Sequence, residues 1–143
     1  MSDPYRLQRF IDAQNAGGTY DRAVRELGAG RKVSHWMWFV FPQIAGLGHS
    51  STAREYAISG REEAAAYLEH RVLGSRLVEC AEILTTQSGS SAVDVFGPVD
   101  AQKLRSSMTL FAAVAESGQE VFRLVLEQFF GGAMDDATTS RLS

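Results

Sequence analysis

Apolar residues recur at three- and four-residue spacing along most of the chain, and this spacing predicts helices. Leu7, Phe10 and Ile11 form one stripe; Tyr20, Val24 and Leu27 form a second. Leu73, Leu77, Cys80 or Ala81, and Leu84 share one side of a longer segment. Leu104, Met108, Phe111 and Ala115 mark the longest candidate helix, and Val121, Leu124, Val125 and Phe129 mark the next. The boundaries carry cap chemistry. Asp3 precedes Pro4, Ser50 or Ser51 opens a short helix, and an Asp opens a last one near the C-terminus. Ser59 and Ser91 each have an acidic residue three positions on, Glu62 and Asp94, as a capping box requires. Pro98 suits a first helical turn, and glycines at 17–18, 28–30, 46–48, 97 and 131–132 mark the breaks. Period-two alternation is scarce, and the one serious strand candidate is Trp36–Phe41. The pattern predicts an all-α fold: a single domain over 1–143, with helices packed bundle-like and orthogonally.

Two segments break the amphipathic pattern. In "SHWMWFVFPQ", Ser34 to Gln43, six large apolar residues run together and include both tryptophans. As a helix capped by Ser34, it puts Trp36, Phe39 and Val40 on one face and turns His35 and Trp38 elsewhere. A segment apolar on all sides belongs in the interior. It is either core, with His35 sealed and hydrogen-bonded, or the wall of a ligand pocket. The pocket reading makes His35 a candidate acid/base and Trp36 a stacking surface, with Gln43, His49 and Ser50 as polar contacts. The following "GLGHSS" lacks the third glycine of a dinucleotide fingerprint and the second glycine of a nucleophile elbow. It reads as a turn and helix cap, with free amides that could hold an anion.

In "KLRSSMTLF", Lys103 to Phe111, Ser106, Ser107 and Thr109 sit inside a helical pattern they do not favour. Either their hydroxyls bond carbonyls four residues back, or Ser106 and Thr109 face a cavity to which Lys103 and Arg105 bring positive charge. Glu79 is a second candidate acid/base if it is buried near His35, and a solvated helix position otherwise.

Composition narrows the partners. The chain is 45% apolar and carries a formal net charge of −3, with no basic run longer than Arg31–Lys32, so a folded protein without a nucleic-acid surface is expected. One cysteine excludes a disulfide within the chain, and the N-terminal residues carry no apolar signal segment. Together these point to a cytoplasmic protein that does not engage membranes. His35, His49 and His70 lack the spacing of a helical metal site, and no metal or cofactor is expected.

The segments "LQRFIDAQ", "GRKVSHWMWFVFPQIAGLGHSS", "REYAIS", "AAAYLEHRVLGSRLVEC", "DVFGPVDAQKLRSSMTLFAA" and "FFGGAMDDATT" resemble a bacterial family of domains of unknown function, number 1810, over nearly the whole chain. The resemblance implies a mainly α-helical single domain and no established activity. The "calpastatin-like" label its members often carry does not suit an apolar chain with three prolines. A weaker similarity links Ser34-His35-Trp36 to domains that process NAD and ADP-ribose derivatives, although the glutamate of their segment is missing. The expected function is binding or hydrolysis of a small nucleotide- or ribosyl-type ligand near His35. The alternative is a non-enzymatic interaction or structural module with His35 in the core.

Overall fold

The computed structural model describes residues 3–87 and 89–142. Helices follow one another throughout: α1 (Gln8–Asn15), α2 (Thr19–Gly28), α3 (Met37–Val40), α4 (Ser51–Glu55), α5 (Arg61–Glu69), α6 (Arg71–Thr85), α7 (Ala92–Val114), α8 (Val121–Phe130) and α9 (Asp136–Leu142). No strand occurs among the described residues; Ile44 and Ile58 meet in an isolated parallel bridge. The fold is all-α. Among the described residues, no helix is long and apolar enough to cross a membrane.

The core runs through the middle of α7. That helix packs on α5, α8 and α9, while α6 packs on α2, α5 and α8. Aromatic rings link four helices in series. Phe10 of α1 meets Tyr67 of α5 edge-on at 5.1 Å, Tyr67 meets Phe111 of α7 at 5.3 Å, and Phe111 meets Phe122 of α8 at 6.0 Å. Tilted and edge-on contacts at these spacings are the favourable arrangements for such rings. The α6 stripe is buried as its spacing requires, through Leu73, Leu77, Cys80, Ala81 and Leu84. So are Leu104, Met108 and Phe111. In α8 the buried face is Phe122, Val125 and Leu126, whereas Leu124 is half exposed. Apolar residues fill most of α8, so its own pattern allows more than one inward face. The packing against α6 and α7 selects among them.

The caps are largely those the sequence carries. Ser91 and Asp94 exchange both bonds of a capping box, the Ser50 hydroxyl accepts from the Ala53 amide, and Asp135 caps α9. Ser59 and Glu62 form no such box. Gly60 caps α5 instead, and the Ser59 amide donates to the buried Glu63, which also holds Arg9 at 3.0 Å. Asp3 accepts from the amides of Leu7 and Gln8, so α1 begins later than Pro4. Gly97 interrupts α7 at φ +79°, and Pro98, which has no amide hydrogen to lose, restarts it. Trp36–Phe41 is not a strand. Met37–Val40 makes one helical turn, which stops because Phe41, at φ −125° and ψ 74°, leaves the helical region before Pro42.

Helices α5 and α6 meet at a sharp corner. The His70 ring caps α6 by accepting from the amides of Val72 and Leu73 at Nδ1. Gly74, one turn in, lies against α5: a Cβ there would come within 2.1 Å of the Leu68 carbonyl oxygen. Backbone cannot yield as a flexible side chain does. Gly74→Ala is therefore expected to lower stability by about 1–3 kcal/mol despite alanine's better helix propensity. Chemical denaturation of the two proteins measures it, and an unchanged midpoint would show that the corner is loose.

Candidate functional site

The site is built outward from Glu26, near the end of α2. Its carboxylate accepts four hydrogen bonds from the segment that follows: the Val33 amide at 2.7 Å, the Ser34 amide at 2.9 Å, the Ser34 hydroxyl at 2.7 Å and the Trp36 indole at 3.0 Å. Burial alone would raise its carboxyl pKa. The bonds from Ser34, Val33 and Trp36 outweigh that and hold it down at about 2. Lys32 locks the same segment from the other side. Its amide donates to the Val95 carbonyl, and its ammonium pairs with Asp100 at 2.8 Å and donates to the Ser34 carbonyl. The ammonium also lies 5.0 Å from the Trp36 ring centre. The far end of α3 is fixed by Gln14, whose amide donates to the Phe39 carbonyl at 2.8 Å.

With Trp36 held inward, Trp38 points outward. It lines two cavities, and a third adjoins them through Gln43 and Lys103. One of about 140 Å³ is lined by Trp38, Gln43, Gly48, Arg54 and Tyr56. A second of about 320 Å³ runs between Trp38, His35, Lys32, Asp100 and Lys103. A third of about 470 Å³ lies between Gln43, Lys103, Gln102, Ser106 and Asp135. Neighbouring cavities share Trp38, Gln43 or Lys103 in their walls, and together they make a grooved face of a size suited to a small-molecule ligand. The Lys103 ammonium sits 4.8 Å from the Trp38 ring centre and 3.6 Å from Asp100. The two unusual sequence segments therefore meet in space. The side chains of Trp38 and Gln43, and the guanidinium of Arg54, have no hydrogen-bond partner among the described residues.

The candidate residues divide into those at the groove and those elsewhere. His35, Gln43, Lys103 and Ser106 line it. His35 is exposed, which removes the arrangement with His35 sealed in the core. Trp36 does not reach the groove: it is fully buried, and its one polar atom is spent on Glu26. Glu79 is exposed on α6, where it accepts from the Tyr20 hydroxyl, and it lines none of these cavities. His49 is exposed outside the groove, and Ser50 serves as the α4 cap. Arg105 donates to the carbonyls of Ala133 and Met134, and the fully buried Thr109 accepts from the Asp135 amide. Both hold the turn before α9 rather than face a ligand. Among the described residues no group of three His, Cys, Asp or Glu side chains is gathered as metal ligands would be. Burial pushes the Cys80 thiol up to about 12, so it is not a nucleophile at neutral pH.

Several residues at the groove were not among the candidates: Trp38, Arg54, Asp100, Gln102 and Asp135. The helical spacing that sets Trp38 apart from Trp36, on the side of His35, is the signal for the first. Asp135 gives no signal beyond its place ahead of a helix.

The family model described as "protein of unknown function (DUF1810)" matches residues 4–142. The chain belongs to the DUF1810 family. It is 48% identical to the conserved hypothetical protein Rv1873 from Mycobacterium tuberculosis, over 98% of each chain, and the crystal structure of that protein superimposes with a TM-score of 0.93. No curated protein matches. The DUF1810 fold is thus seen in a crystal, and neither comparison assigns an activity.

The Glu26 bonds predict a pH signature. A carboxyl held at about 2 when folded, against roughly 4.3 when unfolded, stabilises the fold above the unfolded value. That contribution disappears as pH falls from about 5 towards 2. Glu26→Gln keeps the shape but loses the charge, and should cost on the order of 2 kcal/mol at pH 7. The difference from wild type should shrink steadily when denaturation is repeated below pH 4.

Proposed function

We propose that this DUF1810 protein binds a small, planar, anionic ligand of nucleotide or ribosyl-phosphate type in the groove around Trp38. One observation carries this reading: an outward-facing indole, an amide without a protein partner and a lysine line three neighbouring cavities, each cavity sharing two of the three. The indole offers a stacking face, and the Gln43 amide offers one acceptor and two donors to a base or sugar edge. Lys103 and Arg54 bring positive charge. Of the two acidic groove residues, Asp100 already has Lys32 at 2.8 Å and Asp135 already accepts four hydrogen bonds, so the lysine and arginine side chains favour an anion. Binding is better supported than hydrolysis of a glycosidic bond. His35 makes no hydrogen bond among the described residues that would fix its tautomer, and Glu79 is elsewhere.

Adenosine monophosphate, ADP-ribose, NAD and ribose 5-phosphate form the test panel. A ligand at a hundred times its dissociation constant should add about 2.7 kcal/mol of stability and raise the melting midpoint by several degrees. Trp38→Ala and Lys103→Met should each weaken binding about tenfold or more, while Trp38→Phe keeps most of it. Wild-type protein that gains no stability from millimolar concentrations of any of the four compounds would refute the proposal.

A further inference from the structure

The third cavity ends on Asp135, a buried carboxylate with no cation within salt-bridge distance among the described residues. Its two oxygens are unequally occupied. Oδ2 accepts from the Ser106 hydroxyl at 3.0 Å, the Thr138 amide at 3.1 Å and the Thr138 hydroxyl at 2.5 Å. Oδ1 accepts only from the Gln102 amide at 2.9 Å. A carboxylate oxygen can take about two strong donors, so Oδ2 is saturated and Oδ1 retains a lone pair. That remaining acceptor position lies at a cavity residue and is free to take one further donor.

Resting on the reading above, we propose that Asp135 Oδ1 is the hydroxyl-recognising end of the groove, and that the ligand presents sugar hydroxyls there. Gln102 beside it and Gln43 on the facing wall supply further amide contacts along the same cavity. A neutral O–H donor fits better than a cation. Four donors already stabilise the Asp135 charge, and the neighbouring Lys103 would repel a positive group. The ligand then has a defined polarity: ring at Trp38, anionic group at Lys103, hydroxyls at Asp135. Deoxygenated sugars should be rejected, because a site built to bond a hydroxyl leaves its acceptor unpaired when the hydroxyl is missing.

The experiment compares adenosine monophosphate with its 2′-deoxy and 2′,3′-dideoxy analogues by isothermal titration on the wild-type chain and on Asp135→Asn. Asparagine is as good a helix cap as aspartate, so the variant retains the α9 start. Wild type should bind the ribonucleotide about tenfold or more tightly than the dideoxy analogue, and Asp135→Asn should bring that ratio close to one. Equal wild-type affinities for the three compounds would overturn the Asp135 assignment while leaving the groove as a nucleotide site. A preference that survives in Asp135→Asn would overturn it as well. Binding of none of the three would overturn the Asp135 assignment, and failure of the wider panel would take the nucleotide reading with it. Should the variant fail to fold, the wild-type ratio alone decides.

Discussion

One carboxylate sets the geometry on which the groove depends. The chain between α2 and α3 is too short and too irregular to satisfy its own amides, and it carries an indole N–H into the interior. Glu26 meets both needs, accepting from Val33, Ser34 and Trp36 together. Because the helical turn starts at Met37, directly after Trp36, holding Trp36 inward sets the start of that turn and with it the outward direction of Trp38. The buried tryptophan and the groove tryptophan are two consequences of one constraint. Removing the indole of Trp36 would leave a cavity; removing its acceptor would leave a buried donor, and either change would free the orientation of Trp38.

The opposite wall is held by polar groups with equally definite work. Helix α7 carries Arg105, Ser106 and Thr109 through a region where apolar residues would pack more simply. The Ser106 and Thr109 hydroxyls also reach the carbonyls four residues back, and the remaining partners lie in the turn ahead of α9: Arg105 on the carbonyls of Ala133 and Met134, Ser106 on the Asp135 carboxylate, and Thr109 on the Asp135 amide. The turn is thereby fastened along about one helical turn of α7, and the groove gains a rigid end. Few polar groups along it are left over once these structural bonds are made. Those that remain, on His35, Trp38, Gln43, Arg54, Lys103 and Asp135, are the ones a ligand could use.

The sequence carried the helices and the oddity of the site, but not the roles within it. Stripes such as Leu73–Leu84 are legible because burial repeats along one element, and caps such as Ser91–Asp94 because both partners are local. That "SHWMWFVFPQ" and "KLRSSMTLF" are unusual is equally a local fact. Which tryptophan faces solvent depends on Glu26, ten residues upstream on another helix. Whether Thr109 faces a cavity depends on Asp135, 26 residues downstream. Glu79 takes a partner 59 residues away in Tyr20. Residue type and spacing state what a side chain can do, and the partner that decides which option is used lies at a distance periodicity does not reach.

The charge distribution shows how the groove can attract an anion in a chain whose net charge is −3. Long-range potential follows the whole surface and is screened within about 8–10 Å at physiological salt. Inside a cleft, the nearest groups decide. Asp100 is shared by two lysines on unequal terms. Lys32 is nearly buried, 2.8 Å away and further held by the Ser34 carbonyl, so it neutralises Asp100 permanently. Lys103 is more exposed and 3.6 Å away, over the Trp38 ring. An incoming anion therefore competes only for the weaker contact, and drawing Lys103 away bares the indole face on which a planar group can stack. On the proposed reading, the same lysine that covers the indole would meet the ligand's anionic group, and the fixed Lys32–Asp100 pair is what leaves it free to do so.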